Sequence, residues 1–240
     1  QWAFKDFGTP LRPENAIPYI NQKGLVDRNN NPKDAFYVFK SYWNDTTPFA
    51  YIESHTWTER QGPKGLKRAV SVYSNCPEVE LFLNGKSMGT KKRNTKSFPA
   101  AGLNWNVSFT DGENVLEAVG KTTSGIEVTD KLKVNYRFTK NGTAKSLALV
   151  YTQLENGNYL VTATARDKNG LRVLDFEERV YFQCLSGGNT HKAMGTPTGS
   201  EVIEMANGRA SIEVVRAHKN IPLKMMVLSQ NFKGTYLTIK

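Results

Sequence analysis

From about residue 49 onward, apolar side chains recur every second residue in short runs, and no earlier stretch does this. A period of two places alternate side chains on opposite faces of an extended strand, so one face can be buried and the other solvated. The runs RAVSVYS (68–74), EVELFLNG (78–85), LNWNVSFT (103–110), NVLEAVGK (114–121) and DKLKVNYRF (130–138) form a first series. After the polar break TKNGTAK (139–145), a second series follows: SLALVYTQL, NYLVTATARD, ERVYFQCL, RASIEVVR, LKMMVLSQ and TYLTIK. Asn84-Gly85 sits between two strand-like runs and is a hairpin signal, because both central residues of a type I′ turn need positive φ. Asp111-Gly112, Asn156-Gly157, Asn169-Gly170 and Asn207-Gly208 mark further turns. Many short strands at this spacing predict two immunoglobulin-like β-sandwiches.

Residues 1–43 follow a different pattern. NPKDAFYVFKSYW (31–43) reads as a helix over 32–43, with Asn31 as its cap and Pro32 in its first turn. Ala35, Val38, Phe39, Tyr42 and Trp43 lie at helical spacing and make one apolar face that must bury against something. QWAFKDFGTP reads as a short strand that breaks into a loop at Gly8 and Pro10. The predicted order is therefore strand, long loop, helix, then strands. The corresponding domains are 1–47, 48–139 and 140–240.

Composition narrows the function classes. Apolar residues make up 39% of the 240 and aromatic residues 11%, enough for packed cores and too much for global disorder. No apolar run is long enough for a membrane helix. The first residues have neither a basic nor an apolar leader region and no initiator Met, so the chain reads as a piece of a longer protein. The net charge is +10, but the basic residues are scattered. Their densest cluster, Lys86 to Lys96, reads as a solvated hairpin loop, and no nucleic-acid-binding motif accompanies it. Cys76 and Cys184 are expected to be free thiols.

The usual chemical constellations are missing. His55, His191 and His218 are isolated from one another and from both cysteines, so no metal and no cofactor are expected. Glu177-Glu178 and Glu201/Glu204 are carboxylate pairs near turns, where glutamates are normally solvated. Trp57, Trp105, Tyr73 and Tyr181 could form a carbohydrate-binding platform or could be core; exposure of the rings separates the two. A scaffold role for the sandwiches is the third reading.

W-x-F-K-D-F-G-T-P at 2–10, N-x-K-G-L-V-D-R at 21–28 and N-P-K-D-A-x-Y-x-x-K-S-Y-W at 31–43 resemble the last strand, loop and helix of the catalytic (β/α)8 barrel of glycoside hydrolase family 2. HTWTERQG and VYSNCPEVELFLNGKSMG resemble the β-sandwich that follows that barrel, and the last 100 residues resemble a further immunoglobulin-like domain. The resemblance implies a mainly β fold preceded by the barrel's end. It implies Trp2 against the sugar ring, followed in the family by a non-proline cis peptide at the position of Trp2–Ala3. Asn21 and Lys23 match the Asn-x-Lys motif with which the family's β-glucuronidases hold a C6 carboxylate, and Gly24 is expected to allow a tight turn after it. Arg12 and Arg28 either line the site or hold the loop.

A neutral galactoside would offer Lys23 no anionic partner, yet β-galactosidase remains the alternative within the family. The implied partners are a β-glucuronide or β-galactoside and the rest of the barrel, with no nucleic acid and no membrane; homo-oligomerisation stays open. A periplasmic or secreted bacterial setting is the family's expectation. Retaining glycosidases need two carboxyl groups about 5 to 5.5 Å apart. In the family the acid/base lies in an Asn-Glu dipeptide, which these residues do not contain, so the chain is expected to be inactive alone.

Overall fold

The structure is a computed structural model that describes residues 2–9, 20–190, 201–218 and 220–240. The chain divides into two compact units. One comprises Gln1–Lys5 and Leu25–Lys140, the other Asp6–Gly24 and Asn141–Lys240. The fold is mainly β.

The first elements are short. Strands β1 (Ala3–Lys5), β2 (Phe7–Gly8), β3 (Ile20–Asn21) and β4 (Gly24–Val26) form two two-stranded ladders, β1 with β4 and β2 with β3. The expected long loop before the helix thus contains two strands. Helix α1 spans Asp34–Trp43, two residues shorter than expected at its start. Its cap position is Lys33, without a side-chain cap bond, so the capping role expected of Asn31 is not observed. Asn31 is held elsewhere: its backbone N–H and its side-chain amide both donate to the Asp27 carboxylate, each at 2.8 Å. Lys33 N–H donates to Leu25 O at 2.9 Å and Pro32 bridges to Val26, which keeps the chain extended up to the helix. Asp34 in the first turn complements the helix dipole.

The expected apolar face of α1 is split. Val38 and Ser41 are buried, and Val38 packs with Tyr73 and Ala100. Ala35 and Trp43 are exposed. Phe36, Phe39 and Trp43, with Phe4 and Leu25, instead line an open apolar pocket of about 400 Å³.

The same unit continues with β5 (Ala50–Ile52), β6 (Glu59–Gln61), β7 (Arg68–Ser74), β8 (Glu78–Leu83), β9 (Lys86–Lys92), β10 (Asn104–Val107), β11 (Gly112–Lys121) and β12 (Glu127–Arg137). They make a three-stranded sheet in the order β10-β7-β5 and a five-stranded sheet in the order β6-β12-β11-β8-β9. Alternate residues of these strands build one core that includes Ile52, Val72, Leu81, Leu103, Leu116 and Tyr136. Each fully buried side chain of this size contributes about 1.5–3 kcal/mol. Asn84 and Gly85 both take positive φ, 51° and 77°, as the hairpin between β8 and β9 requires. The cluster expected as a loop from Lys86 begins as β9, an edge strand whose lysines are exposed. On the outer face of the larger sheet, Lys131 pairs with Glu117 and Lys133 with Glu113, both at 3.1 Å.

The other unit contains β13 (Ser146–Gln153), β14 (Tyr159–Arg166), β15 (Arg179–Ser186), β16 (Gly188–Thr190), β17 (Val202–Glu204), β18 (Arg209–Arg216), β19 (Leu223–Leu228) and β20 (Thr235–Ile239). Two four-stranded sheets, β13-β14-β18-β16 and β17-β15-β19-β20, share a core that includes Val161, Val180, Phe182, Ile203, Val214 and Met225. Gly208 turns the chain into β18 at φ 68°, and a Cβ there would lie 2.0 Å from Val173 O. Cys76 and Cys184 are both free thiols.

Candidate functional site

The turn at 21–24 is built from local hydrogen bonds. Asn21 ends β3, and its side-chain Oδ1 accepts the backbone N–H of Lys23 at 3.2 Å. This is an Asx-type turn, in which the amide oxygen mimics a backbone carbonyl. The next N–H, of Gly24, donates to Asp6 Oδ1 at 2.9 Å, and Asp6 is buried. Asn21 and Lys23 thus share one turn, anchored by a buried carboxylate that sequence reasoning did not single out. Gly24 is not the expected turn residue: it is buried in β4 and lies outside the positive-φ region. Lys23 is exposed.

Trp2 precedes β1 and is 91% exposed. It belongs to the first unit, whereas Asn21 and Lys23 belong to the second. The peptide between Trp2 and Ala3 is not the cis bond that the family resemblance implied; among the described residues the cis bond is Phe98–Pro99. Arg28 is half-buried, and Arg12 lies outside the described residues. Neighbouring Asp27 fixes the chain beyond the turn. Burial works against its ionised form, but hydrogen bonds from the Asn31 side chain and the Asn31 and Asn29 backbone, with the Lys33 charge, outweigh this and hold its carboxyl below the usual range.

A second cluster ties α1 and β5 to β12. Tyr51 donates its O–H to Asp34 Oδ1 at 2.7 Å, and Asp34 Oδ2 accepts Ser54 N–H at 3.0 Å. The Tyr51 ring stacks on Tyr37 at 3.6 Å and on His55 at 4.6 Å. His55 Nε2 lies 2.7 Å from Asp130 Oδ2, which also accepts Ile52 N–H. Burial, then the Asp34 hydrogen bond and the carboxylates of Asp34 and Asp130, push the Tyr51 hydroxyl well above the usual tyrosine range. Burial followed by Glu53 does the same at Tyr73. His55 thus pairs with Asp130, 75 residues away, a contact that no periodic signal in the sequence indicates. His191 lies outside the described residues. Among the described residues no group of three His, Cys, Asp or Glu side chains could hold a metal ion.

The four-ring platform does not form. Trp105 is buried with its Nε1 donating to Gly89 O at 2.9 Å, and Tyr73 is buried beside α1. Trp57 is half-exposed, with the Arg60 guanidinium 5.1 Å above its ring. Tyr181 lies half-buried on β15, in the other unit. Glu177, Glu178 and Glu204 are exposed, as expected, but line one polar pocket, which the sequence did not indicate.

The fold defines a class of mainly β chains: short strands and one helix followed by two β-sandwich units. Known proteins agree. Residues 65–129 match a family model described as a domain of unknown function, DUF4982. The whole chain is 74% identical to a Formosa agariphila protein provisionally named β-glucuronidase and spans 29% of its length. The crystal structure of Parabacteroides merdae β-glucuronidase superposes with a TM-score of 0.86 at 39% identity, covering 99% of this chain and 29% of that one. Bacteroides uniformis β-glucuronidase 3 gives 0.86 at 41%, covering 99% and 30%. The chain is homologous to part of glycoside hydrolase family 2 enzymes of the β-glucuronidase type and covers under a third of their length.

Proposed function

We propose that the chain is the C-terminal part of a retaining family 2 exo-β-glycosidase that acts on β-glucuronides. Lys23 supplies the positive charge for the uronate carboxylate and Asn21 the directional amide N–H. Charge-assisted hydrogen bonds of this kind are about twice as strong as neutral ones. The observation that carries the reading is the Asn21–Lys23 turn. Its carbonyl oxygen is occupied by the Lys23 N–H, which orients the side-chain amide, and the adjoining residue is pinned by Asp6. The acid/base and nucleophile come from the rest of the parent barrel, which also covers the apolar pocket of α1.

The test is made in the full-length parent. Lys23→Ala is expected to lower kcat/KM for an aryl β-glucuronide by at least a hundredfold and to leave an aryl β-galactoside nearly unchanged. Equal losses on both substrates would overturn the uronate assignment and favour the galactosidase reading.

A further inference from the structure

The outer face of the β17-β15-β19-β20 sheet differs from the outer face of the large sheet in the other unit. There, lysines and glutamates alternate across strands and keep the surface solvated. Here, Val180, Phe182, Met225 and Val227 point into the core, so the alternating partners point out. Those partners include Tyr181 on β15, Met226 and Leu228 on β19 and Tyr236 on β20, interspersed with Arg179, Gln183, Lys224 and Glu204. Tyr181 lies opposite Leu228 on β19 and Val202 on β17, and Met226 lies opposite Tyr236 on β20. Tyr236 is 67% exposed.

A polar pocket of about 470 Å³ adjoins this stripe at Tyr181. Its wall carries Glu177, Glu178, Arg179, Glu204, Gln230 and Asn231. Asn231 Nδ2 donates to Glu178 Oε2 at 2.7 Å, which ties the two rims together. The volume falls within the range of about 300–1,000 Å³ usual for ligand sites. The lining is polar, so the occupant offers many hydrogen-bonding groups rather than an apolar body. Hydroxyls both donate and accept, and carboxylates, amides and a guanidinium together meet both needs. Three carboxylates against one guanidinium repel an anionic ligand, although the whole chain is strongly basic. Among the described residues no three acidic groups converge closely enough to hold a metal ion.

We propose that this sheet face, with Tyr181 and Tyr236 as stacking surfaces and the Glu178–Asn231 pocket as its hydrogen-bonding end, binds an uncharged, hydroxyl-rich glycan. It serves as an anchoring site separate from the turn that takes the uronate. Flat phenol rings fit the C–H faces of pyranoses, and the adjoining polar wall reads the hydroxyl groups. The site stands independently of the uronate reading, because its test needs no hydrolysis.

The 240-residue chain is run in native affinity gels containing hydroxyethylcellulose, xylan or galactomannan, and in gels containing polygalacturonate or heparin. At least one neutral polymer is expected to retard it, and the anionic polymers are not. Tyr181→Ala and Tyr236→Ala are each expected to weaken retardation at least tenfold, with circular dichroism and Tm near wild type, and Lys23→Ala to leave it unchanged. Tyr236 is exposed enough that its replacement leaves folding intact should Tyr181→Ala perturb it. No retardation by any neutral polymer, retardation by anionic polymers alone, or tyrosine variants that migrate like wild type would each overturn the proposal. So would a wild-type dimer in sedimentation that Tyr236→Ala dissociates, because the face would then pair with a second copy.

Discussion

At the scale of single residues, two carboxylates do more structural work than their exposure suggests. Asp34 receives the Tyr51 hydroxyl and the Ser54 amide, so one side chain fastens the start of α1 to the segment after β5. Removing a donor to a charged acceptor costs about 1.5–3 kcal/mol, and the partial exposure of this pair places it at the lower end. Tyr51→Phe is therefore expected to lower stability by about 1.5 kcal/mol in urea unfolding at pH 7. The same bond has a pH signature. The Tyr51 hydroxyl is harder to ionise in the folded chain than in the unfolded one. Its stabilising contribution is full below about pH 10, the unfolded value, and is lost as pH rises through the higher folded value. Wild-type stability should fall more steeply above pH 10 than that of Tyr51→Phe, and parallel slopes would contradict this account. Asp6 is the second carboxylate: buried and bound to Gly24 N–H, it sets the turn that carries Asn21 and Lys23. Asp6→Asn in the parent is expected to raise KM for an aryl glucuronide more than it lowers kcat. An effect on kcat alone would mean that the turn does not serve binding.

At the scale of elements, the sandwich strands were legible and the short ones were not. β7, β8, β14 and β18 alternate strongly because one face is buried and the other is wet, and that pattern survives in a linear sequence. β2, β3, β16 and β17 have only two or three residues, too few to show a period. β9 is exposed along nearly its whole length, so its lysines look like a loop; at a sheet edge they also discourage pairing with another chain. The helix start was misplaced because Asp27 takes the residue that would have capped it, and a carboxylate four positions upstream is invisible to a capping rule. Of the candidate site, the Asn21–Lys23 turn was legible through family resemblance. Asp6 and the His55–Asp130 contact were not, since each joins residues far apart in sequence. The buried alternation also yields a prediction. Leu116 on β11 is fully buried in the core of the first unit, and Leu116→Ala should cost about 2–5 kcal/mol by guanidinium unfolding. A cost below 1 kcal/mol would mean that the core collapses around the cavity.

At the scale of the whole molecule, the apolar side of α1 tells how the chain relates to its parent. Trp43 is 72% exposed although its ring packs on Phe39 at 4.7 Å, and the pocket beneath it is lined by Phe4, Leu25 and Phe36. So much aromatic surface on one open face is unusual for a molecule complete in itself. The chain spans only 29% of the Formosa agariphila relative, which leaves ample sequence in a parent to cover that face. The two situations differ energetically. In the isolated chain Trp43→Ala removes a side chain that is mostly in water already, and surface substitutions usually fall within about 0.5 kcal/mol. In the parent, with the pocket covered, the same substitution deletes a buried aromatic and should cost about 3–5 kcal/mol. Urea unfolding of both proteins, each with and without the substitution, measures the difference directly. A cost in the parent no larger than in the isolated chain would show that the pocket stays open there, and the barrel-end reading of residues 2–43 would fall with it.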